Sequence, residues 1–192
     1  MDEAVRTGVA KWPNVPDAYG WLALDARGEW RMRNPRTGSM ERIGNAALRE
    51  RIGRHYAADA RGAWFYRNGP QRVFVRLERA PLVFRLGPGA IVDHCGQPAG
   101  ALRGAWLDEQ GGLLLAGGRG IGVLDDRDLG TACGHLMDRR GAPLDEAQLG
   151  ALLAGEQDVA AFLAWGGARL ALGRIASADL EARFGFVAVP RP

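Results

Sequence analysis

Apolar residues in this chain fall in short runs punctuated by glycine and aspartate, a pattern of strands and tight turns with a few intervening helices. In YGWLALDARGEWRM, two such runs flank residues 25–28, which predicts an antiparallel hairpin. Asn45 stands before AALRERIGRHY, where Ala46, Leu48, Ile52 and Tyr56 fall on adjacent helical turns. The spacing predicts a helix capped by Asn45 and running to about Ala58. GAWFYRNGPQRVFVRL then puts Asn68-Gly69 between two β-prone runs, the chemistry of a two-residue hairpin turn, and ERAPLVFRL and GAIVDHC supply two further strands. In the second half, Gly111-Gly112, Gly117-Gly118 and Gly166-Gly167 mark further turns between apolar runs. Helices are predicted from Asp126 to about Met137, in DEAQLGALLAG after Asp145, and in ADLEARF after Ser177.

These elements share a spacing: an apolar strand end, a capping residue two positions on, and apolar residues five and nine positions on. It occurs as Ile43, Asn45, Leu48 and Ile52, as Leu124, Asp126, Leu129 and Cys133, and as Ile175, Ser177, Leu180 and Phe184. A glycine-turn hairpin bearing tryptophan precedes each copy, namely Trp21 and Trp30, Trp106, or Trp165. The first two copies also close alike, in DARGA and DRRGA. The fold class that follows is α+β, made of repeated antiparallel hairpin-plus-helix units in two small packed halves: a basic hairpin-helix-sheet half over residues 1–90, and an acidic half over residues 91–192 with two further units.

Composition adds asymmetry. Residues 21–86 carry 14 arginines against 6 acids, residues 87–192 carry 9 against 13, and Lys11 is the only lysine. A basic half either meets an anionic partner or pairs with the acidic half of its own chain, or of a second copy in a homodimer. The arginine, alanine and glycine bias points to a GC-rich bacterium. The opening residues show no export signal and no run of about 18 apolar residues occurs, so a cytoplasmic protein without membrane contact is expected. In that reducing setting Cys95 and Cys133 are expected as free, mostly buried thiols.

Candidate chemistry is sparse. His94 and Cys95 are adjacent on a predicted strand and point to opposite faces, and Cys133 takes an apolar helix position, so no metal site is assigned. No nucleophile elbow accompanies either cysteine, and the carboxylates of Asp108, Glu109, Asp125 and Asp126 lie where turns and helix caps use them. GGRGIG lacks the Lys-Ser/Thr of a phosphate loop and reads as a hairpin connection. The sequence therefore assigns no catalytic, cofactor-binding or metal-ligating residue. The remaining candidates are Arg72 and Arg76, which alternate with Val73, Val75 and Leu77 on one strand and flank Phe74, an arrangement suited to an anion or to stacked single-stranded nucleic acid.

KWPNVPDAYGWLALDARGEW, the capped helix, GAWFYRNGPQRVFV and APLVFRL together resemble an uncharacterised proteobacterial domain-of-unknown-function family over about the first 90 residues. The resemblance implies repeated helix-plus-sheet motifs and a role in signal transduction, and brings no catalytic residues with it. The expected function is a non-enzymatic ligand- or protein-binding regulatory module. The rivals are an enzyme acting on an anionic small metabolite held by Arg72 and Arg76, and a single-stranded nucleic-acid binder.

Overall fold

The computed structural model describes residues 15–156 and 160–192; the expectations for the opening residues 1–14, including the start of the family-like stretch, lie outside them. The protein is α+β and divides into two compact units. Unit 1 takes the described residues up to Pro81 and returns for Glu181–Pro192, while unit 2 spans Leu82–Leu180.

In unit 1, β1 (Ala18–Leu24), β2 (Trp30–Arg33) and β3 (Met40–Arg42) form an antiparallel meander. Helix α1 (Ala46–Arg54) follows, and β4 (Tyr56–Ala58), β5 (Trp64–Asn68) and β6 (Gln71–Leu77) form a second meander. The order β3-β2-β1-β6-β5-β4 joins the two through the parallel pair β1 and β6, with Leu22 opposite Val75 and Leu24 opposite Leu77. One face of this sheet packs Phe65 and Phe74 with Ala63, Tyr19 and Val187. Tyr19 stacks on Phe74 at 4.7 Å between ring centroids. The returning C-terminal segment supplies Val187, whose N–H donates to Gly62, and Ala188, whose carbonyl accepts from Leu77.

In unit 2 a hairpin of β7 (Leu82–Gly87) and β8 (Ala90–Asp93) precedes the meander β9 (Gly104–Leu107), β10 (Leu113–Gly117) and β11 (Gly120–Leu124). A 3-10 turn (Asp126–Asp128) leads into α2 (Leu129–Cys133), followed by β12 (Leu136–Met137), α3 (Glu146–Ala154), β13 (Phe162–Trp165) and β14 (Ala168–Arg174). Its order, β12-β13-β14-β9-β10-β11-β7-β8, again centres on a parallel pair, β9 with β14. The path from β9 to β14 repeats the path from β1 to β6, down to single hydrogen bonds. Glu78 N–H donates to Leu24 at 3.0 Å and Ile175 N–H to Leu107 at 3.0 Å; Arg67 donates to His55 at 3.1 Å and Ala164 to His135 at 2.9 Å. The expected hairpin-then-helix unit occurs twice inside this larger repeat, where β2–β3 leads to α1 and β10–β11 to α2, and once at its end, where β13–β14 leads to a 3-10 turn (Ser177–Asp179) and α4 (Leu180–Phe184).

One turn chemistry recurs through both units. At residues 25–28 the Asp25 carbonyl accepts from Gly28 N–H, its carboxylate accepts from the N–H groups of Arg27 and Glu29, and Gly28 sits at φ +77°. Asp59 with Gly62, Asp93 with Gly96, Asp108 with Gly111, and Asp138 with Gly141 repeat the arrangement. An aspartate that satisfies two turn amides, followed by a glycine free to adopt positive φ, closes a hairpin locally and pins its register.

Several local expectations shift by a residue or more. The hairpin between β5 and β6 turns on Gly69-Pro70 rather than Asn68-Gly69. Asn68 pairs with Gln71 as the last strand residue, Gly69 takes φ +61°, and proline supplies the second central position at its fixed negative φ. Helix α1 is capped by Asn45 as expected but ends at Arg54, because residues 56–58 pair as β4. In unit 2 Asp125 is the cap, not Asp126. That one-residue slip puts Ala132 in the core, 3% exposed, and leaves Cys133 exposed rather than buried, with α2 stopping before Gly134 instead of reaching Met137. Asp145 caps α3 with a full capping box. Ser177 makes no cap; its N–H instead donates to the Glu109 carboxylate at 2.8 Å.

Candidate functional site

Arg72 and Arg76 stand two residues apart on β6. The guanidinium of Arg72 is held by the Asp17 carboxylate, Nε to Oδ1 at 2.9 Å and Nη2 to Oδ2 at 2.5 Å, and lies 5.2 Å from the Phe74 ring and 5.8 Å from that of Phe65. Phe74 between the two arginines is 1% exposed, in the aromatic cluster, while Arg76 is exposed. This strand therefore presents one arginine already neutralised by a carboxylate and a second open to solvent.

The half-buried thiol of Cys95 and imidazole of His94 in unit 2 are electrostatically quiet. His94 Nδ1 accepts from Val83 N–H at 3.3 Å, and burial pushes the imidazole down to about 3, so it is neutral across the physiological range. Burial, reinforced by Asp93, raises the Cys95 thiol to about 12, the opposite of what an activated nucleophile needs. GGRGIG forms the hairpin between β10 and β11: Gly117 pairs with Gly120, and Arg119 reaches back to the Asp93 carboxylate. Among the described residues no group of three or more His, Cys, Asp or Glu side chains is placed to hold a metal ion.

The acidic residues at the start of α2 hold structure together. Asp125 is fully buried and accepts from Arg127 through Nε at 2.8 Å and Nη2 at 2.5 Å. Arg85 on β7 bridges to Asp128 at 2.6 Å, and Leu86 N–H donates to the same carboxylate. The hydrogen bond from Arg127, opposed by burial, holds Asp125 down at about 2. Each oxygen of this network is spoken for, as expected where helix start is tied to strand.

Unit 1 carries a different feature, a groove of about 390 Å³ between α1 and the sheet, within the size range of small-molecule sites. Leu22 and Ile52, 2% and 0% exposed, belong to its floor with Leu48 and Val73. Its rim carries Trp21 and Met32, which are 47% and 42% exposed, two large apolar side chains left in water. The polar lining comes from Arg51 on α1 and from Tyr66, Asn68 and Gln71 around the β5–β6 turn. Tyr66 donates to Asn68 Oδ1 at 3.4 Å; burial raises its phenol, and the nearby positive charge of Arg51 opposes that rise. Sequence reasoning missed this site because its residues come from separate elements. The available signal was the pairing of Leu48 and Ile52 on the core face of α1 with Arg51 between them.

A family model described as "Protein of unknown function (DUF2946)" matches residues 1–191. Curated proteins give no match. Two solved structures are similar. A DUF1285 family protein from Silicibacter pomeroyi DSS-3 shares 16% identity over 90% of this chain and 89% of its own, with a TM-score of 0.52. A DUF1285 family protein from Shewanella baltica OS155 shares 17% identity over 56% of this chain and 85% of its own, with a TM-score of 0.37. The likeness to the first shows a common fold.

Proposed function

This chain belongs to the family of proteins of unknown function DUF2946, and we propose that it is a non-enzymatic binding module whose ligand site is the groove of unit 1. The observation that carries this reading is the exposure of Trp21 and Met32 on the rim of a groove with an apolar floor, since large apolar side chains left in water mark surfaces that gain free energy when covered. An anion on the Arg72 and Arg76 strand would have to displace Asp17 from Arg72, so that strand supports binding less well than the groove does. None of the described helices is long and apolar enough to cross a membrane, and a cytoplasmic site of action is part of the proposal. The test is a thermal-shift screen of the full chain against metabolites, nucleotides, metals and short oligonucleotides. A ligand that raises Tm for the natural chain and fails to do so for Trp21→Ala supports the groove. A ligand whose effect survives Trp21→Ala and vanishes in Arg72→Ala with Arg76→Ala transfers the site to β6, and turnover of any panel member refutes the non-enzymatic reading.

A further inference from the structure

Resting on that reading, we propose that the groove takes a small organic monocarboxylate, an aromatic or short acyl body bearing a single negative charge. The chemistry of the lining selects this class. Leu22, Leu48, Ile52 and Val73 offer only carbon to the body of a ligand, and the Trp21 indole and Met32 thioether can close over it as adaptable apolar surfaces. Among the described residues Arg51 is the only charged side chain lining the groove, and no acid lines it. Its helical neighbour Glu50 is engaged with Arg54 at 3.7 Å, and among the described residues no carboxylate pairs with Arg51. A guanidinium at an apolar surface without a partner carboxylate supplies the complementary charge for an anion, and its paired N–H groups match a carboxylate in two parallel hydrogen bonds.

A single positive charge also limits the ligand's charge. A phosphate monoester carries close to two negative charges at neutral pH, and Arg51 would leave nearly one uncompensated against the apolar floor; a carboxylate is neutralised one for one. The amides of Asn68 and Gln71 and the Tyr66 hydroxyl add neutral hydrogen-bonding groups. Gln71 already commits one Nε2 hydrogen to the Pro16 carbonyl at 3.0 Å, and the charged partner for a carboxylate is Arg51.

The experiment is isothermal titration of the full chain with octanoate and phenylacetate, with octanamide and phenylacetamide as isosteric neutral controls, and with octyl phosphate. The expected result is binding of at least one carboxylate about tenfold tighter than its amide, and tighter than octyl phosphate. In Arg51→Gln, with circular dichroism and Tm unchanged, acid and amide should converge. In Trp21→Ala both should weaken by a similar factor. Equal affinity for acid and amide in the natural chain, or an acid preference that survives Arg51→Gln, overturns the carboxylate assignment while leaving a groove ligand in place. Carboxylate binding that neither Trp21→Ala nor Met32→Gln weakens overturns the groove itself. Absence of binding by every probe overturns the ligand class, and the broader screen then decides the groove separately.

Discussion

The six strands β1–β6 of unit 1 and the six strands β9–β14 of unit 2 follow the same path, yet their surfaces differ. In unit 2 the outermost strand of the repeat on this side, β11, carries β7 in parallel, and β12 is flanked by Leu144, whose N–H donates to Leu136. In unit 1 the corresponding edge strand β3 carries no further strand among the described residues and ends in the charged pair Glu41 and Arg42, a device that discourages further pairing. At the central parallel pair, Ala23 lies opposite Arg76 in unit 1, whereas Trp106 lies opposite Gly173 in unit 2. The indole of Trp106 covers Gly173 so closely that a Cβ there would meet its Cδ1 at 2.7 Å. Cross-strand pairs persist where chain path depends on them: Arg72 lies over Phe65 in one copy and Arg169 over Phe162 in the other. Path is set by turn aspartates and parallel registers, and the side chains between them are free to build a groove in one copy and an apolar cover in the other.

The comparison can be broken most severely at Phe74, whose counterpart in unit 2 is the exposed Ala171. Phe74→Ala removes a fully buried ring from the aromatic cluster and should cost about 3–5 kcal/mol by denaturant unfolding, while Ala171→Gly should cost about 1 kcal/mol or less. Next comes Gly173→Ala, which forces a methyl into the indole of Trp106 and should cost about 1–3 kcal/mol, against a change within about 0.5 kcal/mol for Arg76→Ala at the matching exposed position.

Helix capping sharpens the contrast through pH. The first copy caps with neutral Asn45, the second with Asp125. Asp125 is held at about 2 in the folded protein against 3.8 ordinarily, so its contribution is present above about pH 4 and is lost as pH falls toward 2. Protection factors of amides in unit 2, corrected for intrinsic exchange, should fall as pH drops through that window, and Asp125→Asn should flatten this part of the response; the cap of α1 contributes no such titration. Trp21→Ala should cost about 1 kcal/mol or less in thermal unfolding, because nearly half the indole is already in water.

What the sequence disclosed was local. The Asp-to-Gly turns, the Asn45 and Asp145 caps and the glycine hairpins at residues 117–120 and 165–168 depend on neighbours within about five positions, and those residues carry their chemistry with them. Capping at Asp125 rather than Asp126 was not legible, because two adjacent aspartates offer the same side chain and only the burial of Ala132 in place of Cys133 distinguishes them. The parallel pairing of β1 with β6, and the engagement of Arg72 by Asp17, join residues more than fifty positions apart. The groove was hidden for the same reason: Trp21, Met32 and Arg51 read separately as a strand aromatic, a strand methionine and a helix cation, and only the fold puts them on one lining.

The return of residues 181–192 to unit 1 imposes an order on synthesis. Unit 2 is one uninterrupted stretch and has all its strands as soon as Leu180 leaves the ribosome. Unit 1 has its six described strands by Leu77, but the partners for Gly62 and Leu77, supplied by Val187 and Ala188, are translated only after the whole of unit 2. A nascent chain stalled before Glu181 therefore exposes part of the Phe74 cluster, and unit 1, begun before unit 2, is finished after it.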